Sequence, residues 1–342
     1  MLENEKKNNL LFLNWLTLTL LLIFFMIIVG GLTRLTGSGL SITEWELFKG
    51  IFPPLNENTW NNYFDLYKKI PQYKLINPNM SLDQFKIIFY WEYFHRILGR
   101  IIGLFFLIPF IYFFIIKKIN KDFFRPCLLI LSLIILQGIV GWYMVSSGLV
   151  KDVTVSHYRL SLHLFLAFLI ISIIFWLILN LREGTSLIFF SKSLKRTLPV
   201  LILVLLVFIQ IIFGAFVSGL DAGKIYQTWP LMGQNYFPDD FVFKNFIDML
   251  KFDNHSLVQF YHRNIAYLII FYVSCLGFLI LRNKKKELYT PYFLIFIIVF
   301  LQISLGILTL ISGLNIYLAS AHQICSVFLL FSSINLYYYY IK

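Results

Sequence analysis

Residues 92–116 read EYFHRILGRIIGLFFLIPFIYFFII, a run that carries no charge beyond Arg100 and ends where Lys117 begins. About 20 apolar residues are what an α-helix needs to cross roughly 30 Å of hydrocarbon. A stretch this apolar, with no alternation of polar and apolar positions, cannot be a barrel strand, so it reads as a membrane helix headed by a histidine and an arginine. Outward from it, seven further runs of the same kind predict spans over 12–32, 126–147, 156–181, 197–219, 257–281, 290–312 and 316–341, with the quoted one at 88–116. Composition agrees: 342 residues that are 59% hydrophobic and 13% charged cannot cover a soluble surface. The predicted fold class is all-α, a polytopic membrane protein of eight transmembrane helices.

The net charge of +12 points to the bilayer rather than to nucleic acid because of where the charges fall. Lys117, Lys118, Lys121 and Arg125 follow the second span, Arg182, Lys192, Lys195 and Arg196 the fourth, and Arg282, Lys284, Lys285 and Lys286 the sixth. The loops after the third and seventh spans hold Lys151 or no basic residue. Positive residues stay on the cytoplasmic side, which predicts both termini in the cytoplasm and anionic headgroups as the partner of the charge. The mixed charges of MLENEKKNNL predict neither a cleaved signal nor a transit peptide, and a bacterial inner membrane is the expected home. Cys127, Cys275 and Cys325 all fall within predicted helices and read as packing residues.

An internal repeat organises the rest. GGLTRLTGSGLSITEW from Gly30 lies without a gap over GAFVSGLDAGKIYQTW from Gly214, and QGIVGWYMVSSGL from Gln137 over QISLGILTLISGL from Gln302. EYFHR at 92–96 likewise has its counterpart in QFYHR at 259–263. Four crossings return a chain to its starting side, so the expectation is two four-helix bundles, residues 1–183 and 184–342, related by a pseudo-twofold axis along the membrane normal.

His95, His163, His262 and His322 fall one on each of the four helices that run from outside to inside, at matching depth in two pairs. A single buried histidine is as readily a hydrogen-bonding residue between helices. Four in two symmetric pairs point to function, because intramembrane ionisable groups are expensive. Two imidazoles across a flat ligand are what axial ligation of haem iron requires, whereas closed zinc or copper sites want thiolates or carboxylates that are scarce here. His157, on another face of its helix, and His255, in the polar loop FDNHS, are weaker candidates. Arg96 and Arg263 directly follow a ligand candidate, with Arg34 and Arg159 near the same level, and a guanidinium pairs with a haem propionate. Interfacial snorkelling is the competing reading.

The halves differ at one chemically loaded place: Glu92 stands three residues before His95, and Gln259 three before His262. Either Glu92 is an i, i+4 partner of Arg96, or the amino-terminal half does proton chemistry while the carboxy-terminal half holds a permanent haem.

With these residues assembled, the chain resembles the haem A synthases. The likeness runs through GGLTRLTGSGLSITEW, EYFHR, QGIVGWYMVSSGL, SHYRLSLHL, GAFVSGLDAG, TWPLMG, QFYHR and ASAHQ, over essentially the whole length. It implies oxidation of a methyl group on haem O to a formyl group, by two hydroxylations and loss of water, giving haem A for terminal oxidases. It also implies His95 and His163 as the substrate-haem pair, His262 and His322 as the haem b pair, and Glu92 as the acid of the catalytic half. Some members carry paired cysteines in the outer loops; this chain has none, which removes any thiol-based step. The implied partners are haem O and the enzyme that makes it, a membrane electron donor and the lipid bilayer, with homo-oligomerisation left open. A dihaem cytochrome b passing electrons from quinol is the alternative, and a transporter is a weaker one because the bilayer midplane is almost wholly apolar. The outer segments 33–87 and 220–255 are too long for simple connections and are expected to cover the haem edges, with WNNYFDLYKKIPQYKLI suited to an interfacial helix.

Overall fold

The computed structural model describes residues 2–45, 49–116, 121–150, 152–190, 194–240 and 246–342. Lys117, Lys118, Lys151 and Lys192, four of the charges used to orient the chain, lie outside the described residues. Ten α-helices account for nearly all of the secondary structure, and no β-strand occurs among the described residues. They are α1 (Leu2–Leu35), α2 (Glu57–Tyr67), α3 (Pro71–Leu75), α4 (Leu82–Ile115), α5 (Lys121–Gly148), α6 (His157–Glu183), α7 (Leu194–Gly219), α8 (His255–Arg282), α9 (Tyr289–Ile311) and α10 (Ile316–Ile341). All but α2 and α3 are long and apolar enough to cross a membrane, eight spans in all. The protein is therefore an all-α, multi-pass membrane protein.

Two helices start well before their expected boundaries: α1 begins at Leu2 rather than at 12, and α4 at Leu82 rather than at 88. Hydropathy misses the first turn of α4 because SLDQFK is polar, but those polar atoms are what start the helix. Ser81 Oγ accepts from the Gln84 N–H at 3.3 Å and the Ser81 N–H donates to Gln84 Oε1 at 2.9 Å, a reciprocal capping box. The extension gives α4 an apolar face outside the expected span, and the outer segment folds onto it. Trp60, Phe64 and Tyr67 of α2 bury themselves against Phe85, Ile88 and Phe89. The segment read as an interfacial helix thus packs its aromatic face on α4. Tyr67 is fully buried, its hydroxyl donating to Gln72 Oε1 at 3.0 Å and accepting from Asn77 Nδ2 at 2.9 Å; burial raises its pKa. Gln72 Nε2 in turn donates to the Gly37 carbonyl at 3.1 Å, fastening α3 to the turn that leaves α1.

The chain forms two compact units, Met1–Ile171 and Ser172–Lys342. Within the first, α1 packs along α4 and α4 along α5. Within the second, α7, α8, α9 and α10 pack in a ring, each against two others, and α8 meets α9 so closely at Gly277 that any Cβ there would run into Tyr292. Cys127 and Cys325 are buried as expected, but Cys275 is exposed on α8, because that helix keeps one side away from its bundle. In the outer segment of this unit Asp240 accepts from Tyr226 Oη at 2.8 Å and Ser256 Oγ at 2.6 Å. Burial alone would raise its pKa, but these hydrogen bonds outweigh it and hold the carboxyl below its usual range.

Candidate functional site

In the first unit the rings of His95 on α4 and His163 on α6 have centroids 6.3 Å apart and planes inclined at 47°. In the second, His262 on α8 and His322 on α10 are also 6.3 Å apart, at 81°. Two imidazoles on opposite sides of one metal ion, each nitrogen about 2 Å from it and each ring centre roughly 1 Å further back, have centroids close to 6 Å apart. Both pairs fit that requirement. His163 Nδ1 and His262 Nδ1 are buried with no hydrogen-bond partner, a costly state for an imidazole unless another group answers it. Among the described residues no cluster of three or more His, Cys, Asp or Glu is placed to hold a metal ion. The donor set is two isolated imidazole pairs in apolar surroundings, which suits haem iron and no closed zinc or copper site.

Each ring reaches its place because the preceding transmembrane helix has a glycine there. A Cβ on Gly30 would lie 3.2 Å from His95 Nε2, on Gly141 3.1 Å from His163 Cε1, on Gly214 3.2 Å from His262 Cε1 and on Gly306 2.9 Å from His322 Cε1. Glutamines secure three of the four. Gln137 Nε2 donates to the His163 carbonyl at 3.0 Å and Gln210 Nε2 to the His262 carbonyl at 3.0 Å. His322 Nδ1 stands 3.1 Å from the Gln302 carbonyl; a carbonyl can only accept, so Nδ1 carries the proton and the Nε2 lone pair is left for a metal.

Above each pair the outer loop is clamped to the helix head in the same way. Arg96 Nη2 donates to the Ile42 carbonyl at 2.8 Å and Nη1 to that of Glu44 at 3.3 Å, with the guanidinium 5.2 Å above the Trp45 ring. Arg263 Nη2 donates to the Tyr226 carbonyl and Nη1 to that of Thr228, both at 2.9 Å. The register that lays Gly30 over Gly214 also lays Ile42 over Tyr226 and Glu44 over Thr228, so the repeat extends to individual hydrogen bonds. The side of each guanidinium expected to meet a propionate is turned at least partly onto loop carbonyls.

The clamps differ at Glu92 and Gln259, both buried. Glu92 Oε1 accepts from Arg96 Nη2 at 2.6 Å and Nε at 3.1 Å, and Oε2 accepts from Ser41 Oγ at 2.7 Å and the Ile42 N–H at 2.9 Å. Gln259 Nε2 donates to the Tyr226 carbonyl at 2.9 Å, leaving Gln259 Oε1 and Arg263 Nε buried without partners. Of the remaining sequence candidates, Arg34 lies in the last turn of α1. Arg159 Nη1 donates to the Tyr143 carbonyl at 2.7 Å, and the guanidinium lies over that ring. His157 is buried beside Tyr158, and His255 is exposed at the start of α8. Sequence reasoning missed Ser41 and the three glutamines. The glutamines had a signal, a Gln four residues before the glycine in QGIVG, QIIFG and QISLG; Ser41 had none.

Residues 13–334 match the family model described as cytochrome oxidase assembly protein. The Heme A synthase of Pelagibacter ubique is 48% identical over 321 residues, covering 93% of each chain. That of Flavobacterium psychrophilum is 42% identical over 335 residues, 95% of this chain and 96% of the relative. The Heme A synthase of Rickettsia felis is 39% identical over 330 residues, 96% of each.

Proposed function

We propose, from the premise that this chain belongs to the COX15-CtaA family of cytochrome oxidase assembly proteins, that it is a haem A synthase, a membrane oxidoreductase that converts a methyl group of haem O to the formyl group of haem A. The observation that carries this reading is the duplicated imidazole pair, 6.3 Å in each unit, on a chain whose relatives are named for haem A along nearly their full length.

The roles divide between halves 1–183 and 184–342; the matching clamp contacts within each unit support reading the halves as two copies of one repeat. His95 and His163 hold the iron of haem O, the substrate. His262 and His322 hold haem b, whose one-electron chemistry would relay reducing equivalents from a membrane donor. His322, with its proton on Nδ1, offers iron the other nitrogen. Arg96 and Arg263 fix the outer loops over the two sites, and their guanidiniums, with Arg34, give the propionate ends a cationic rim. Glu92 places a negative charge three residues before His95, where it can accept or return a proton as the methyl group is oxidised, provided its clamp opens. Charge placement in the sequence supports an orientation with both termini in the cytoplasm and the site helices entering from the outer face of a bacterial inner membrane.

The test is conversion. Membranes containing the full-length protein, supplied with haem O and a reductant, should yield haem A by mass spectrometry of extracted pigments, and His95→Ala and His163→Ala should abolish it. A dihaem carrier of electrons would return every haem with its mass unchanged.

A further inference from the structure

Three of the four histidines are hydrogen-bonded to a glutamine of the neighbouring helix, His163 and His262 through their main-chain carbonyls and His322 from its ring to the Gln302 main-chain carbonyl, whereas His95 faces a methionine at that place. Gln137, Gln210 and Gln302 each stand four residues before the glycine that receives a histidine ring. Gln137 and Gln210 donate to the histidine carbonyl. Gln302 accepts at its own carbonyl from His322 Nδ1, with its amide nitrogen 3.5 Å from His322 Nε2. On α1 the matching place, four residues before Gly30, is Met26. A thioether has no N–H to give. Met26 directs its methyl at Gly99 instead, where an added Cβ would lie 3.3 Å from Met26 Cε.

The ring on that helix is also turned differently. His163, His262 and His322 each present Cε1 to the facing glycine, whereas His95 presents Nε2 and Cδ2, at 3.2 and 3.5 Å from a Cβ on Gly30. The two arrangements differ by a half-turn about the Cβ–Cγ bond, which interchanges Nε2 with Cε1 and Cδ2 with Nδ1, so it is the Met26 position that distinguishes His95.

We infer that His95 is the exchangeable ligand of the substrate iron, and that Met26 makes it so while the glutamines hold His163, His262 and His322. The inference rests on reading His95 and His163 as the pair that holds haem O. An iron closed on both faces by imidazole has no position for a further small molecule, so one ring must leave before one can bind. In that step the nitrogen–iron bond breaks, the imidazole departs as a neutral donor keeping its lone pair, and neither an electron nor a proton moves. A ring or carbonyl tied to an amide on the neighbouring helix resists the swing. Methionine, unbranched and with three rotatable bonds, gives way to it. One net hydrogen bond corresponds to about a fivefold difference in how often the ring is away.

Carbon monoxide binding tests this on the full-length protein, loaded with haem O and reduced with dithionite, with the two haems followed by their separate absorbance bands. Carbon monoxide should bind the substrate haem and leave haem b unreacted. Met26→Gln should slow that binding about fivefold at unchanged haem O content. Gln210→Met, which transplants the amino-terminal side chain, should open haem b to the gas. A parent protein that takes up no carbon monoxide, or a Met26→Gln rate equal to the parent's, overturns the inference. So does acceleration by Gln137→Met with Met26→Gln inert, which would make His163 the leaving ligand. Should Met26→Gln not fold, Gln210→Met decides alone: haem b as unreactive as in the parent sinks the brace. Failure of the underlying reading looks different, because haem O would then keep an unchanged six-coordinate spectrum in both His95→Ala and His163→Ala.

Discussion

The two units hold their outer loops with the same arginine and opposite chemistry beneath it. In the carboxy-terminal unit the loop is fixed without a carboxylate, Arg263 donating to the Tyr226 and Thr228 carbonyls and Gln259 to the Tyr226 carbonyl. In the amino-terminal unit a buried carboxylate gathers four donors, two from Arg96 and one each from Ser41 Oγ and the Ile42 N–H. One fold position therefore supports a static amide in one half and a charge with a removable set of partners in the other. The i, i+4 ion pair and a catalytic carboxylate, alternatives in the sequence, are compatible: under the proposed function the ion pair would be the resting state of a group whose release exposes a base. A half built only to carry a cofactor has no use for that arrangement, and Gln259, with Oε1 and Arg263 Nε left unpartnered, is what the position looks like without it.

The largest expected effect separates the halves by what they keep. His262→Ala or His322→Ala should remove haem b from the purified protein altogether and lower its stability, since a ligand present at about a hundred times its Kd contributes roughly 2.7 kcal/mol to the folded state. His95→Ala should keep haem b at full content and lose only haem A formation. Pigment extraction from the three variants checks this, and loss of haem b in His95→Ala would erase the division of labour.

Next in size is exchange of the residue that distinguishes the clamps. Glu92→Gln should lower haem A formation by about 10² to 10⁴ if the carboxylate assists proton transfer, with accumulation of haem O or a partly oxidised haem. The substitution also points an NH₂ group at donors, either at Arg96 or at Ser41 and the Ile42 N–H, so some loosening of loop 38–45 should accompany it. Gln259→Glu should leave haem A formation largely intact while turning a carboxylate oxygen toward the Tyr226 carbonyl. Equal losses from the two exchanges would mean that the position serves the loops in both halves and the chemistry in neither.

The architecture was legible because hydrocarbon imposes it: runs such as 92–116 have one way to satisfy their backbone in lipid, and a histidine inside such a run carries its own significance. What the residues withheld were contacts made by polar groups at the helix mouths. SLDQFK reads as loop by hydropathy, yet Ser81 and Gln84 turn it into the first turn of α4. Ser41 sits in a loop of small polar residues with nothing to mark it, and acquires a partner only because the Arg96 clamp brings the loop onto Glu92. The glutamines were visible as spacing but not as contacts, since Gln in a membrane helix reads as a generic interhelical donor; only the folded helices show which carbonyl or ring each amide reaches.

The smallest expected effect tests whether the amino-terminal clamp depends on more than charge. Ser41 is 1% exposed, and its hydroxyl lies 2.7 Å from Glu92 Oε2. In the register of the repeat its counterpart is Ile225, 51% exposed and without a hydroxyl, so the contact belongs to one half only. Ser41→Ala removes one donor of four and leaves Glu92 paired with Arg96 and the Ile42 N–H, which should cost about 1 kcal/mol. That loss should speed protease cleavage within 38–45 severalfold, lower haem A formation by a similar factor, and leave haem b content and the carboxy-terminal loop untouched. Were Ser41→Ala to cleave at the parent rate, Arg96 and the backbone N–H would suffice to hold the loop, and the difference between the units would reduce to one carboxylate against one amide. Were it cleaved faster but fully active, the clamp would be a structural device, and the case for opening it during the reaction would fall with it.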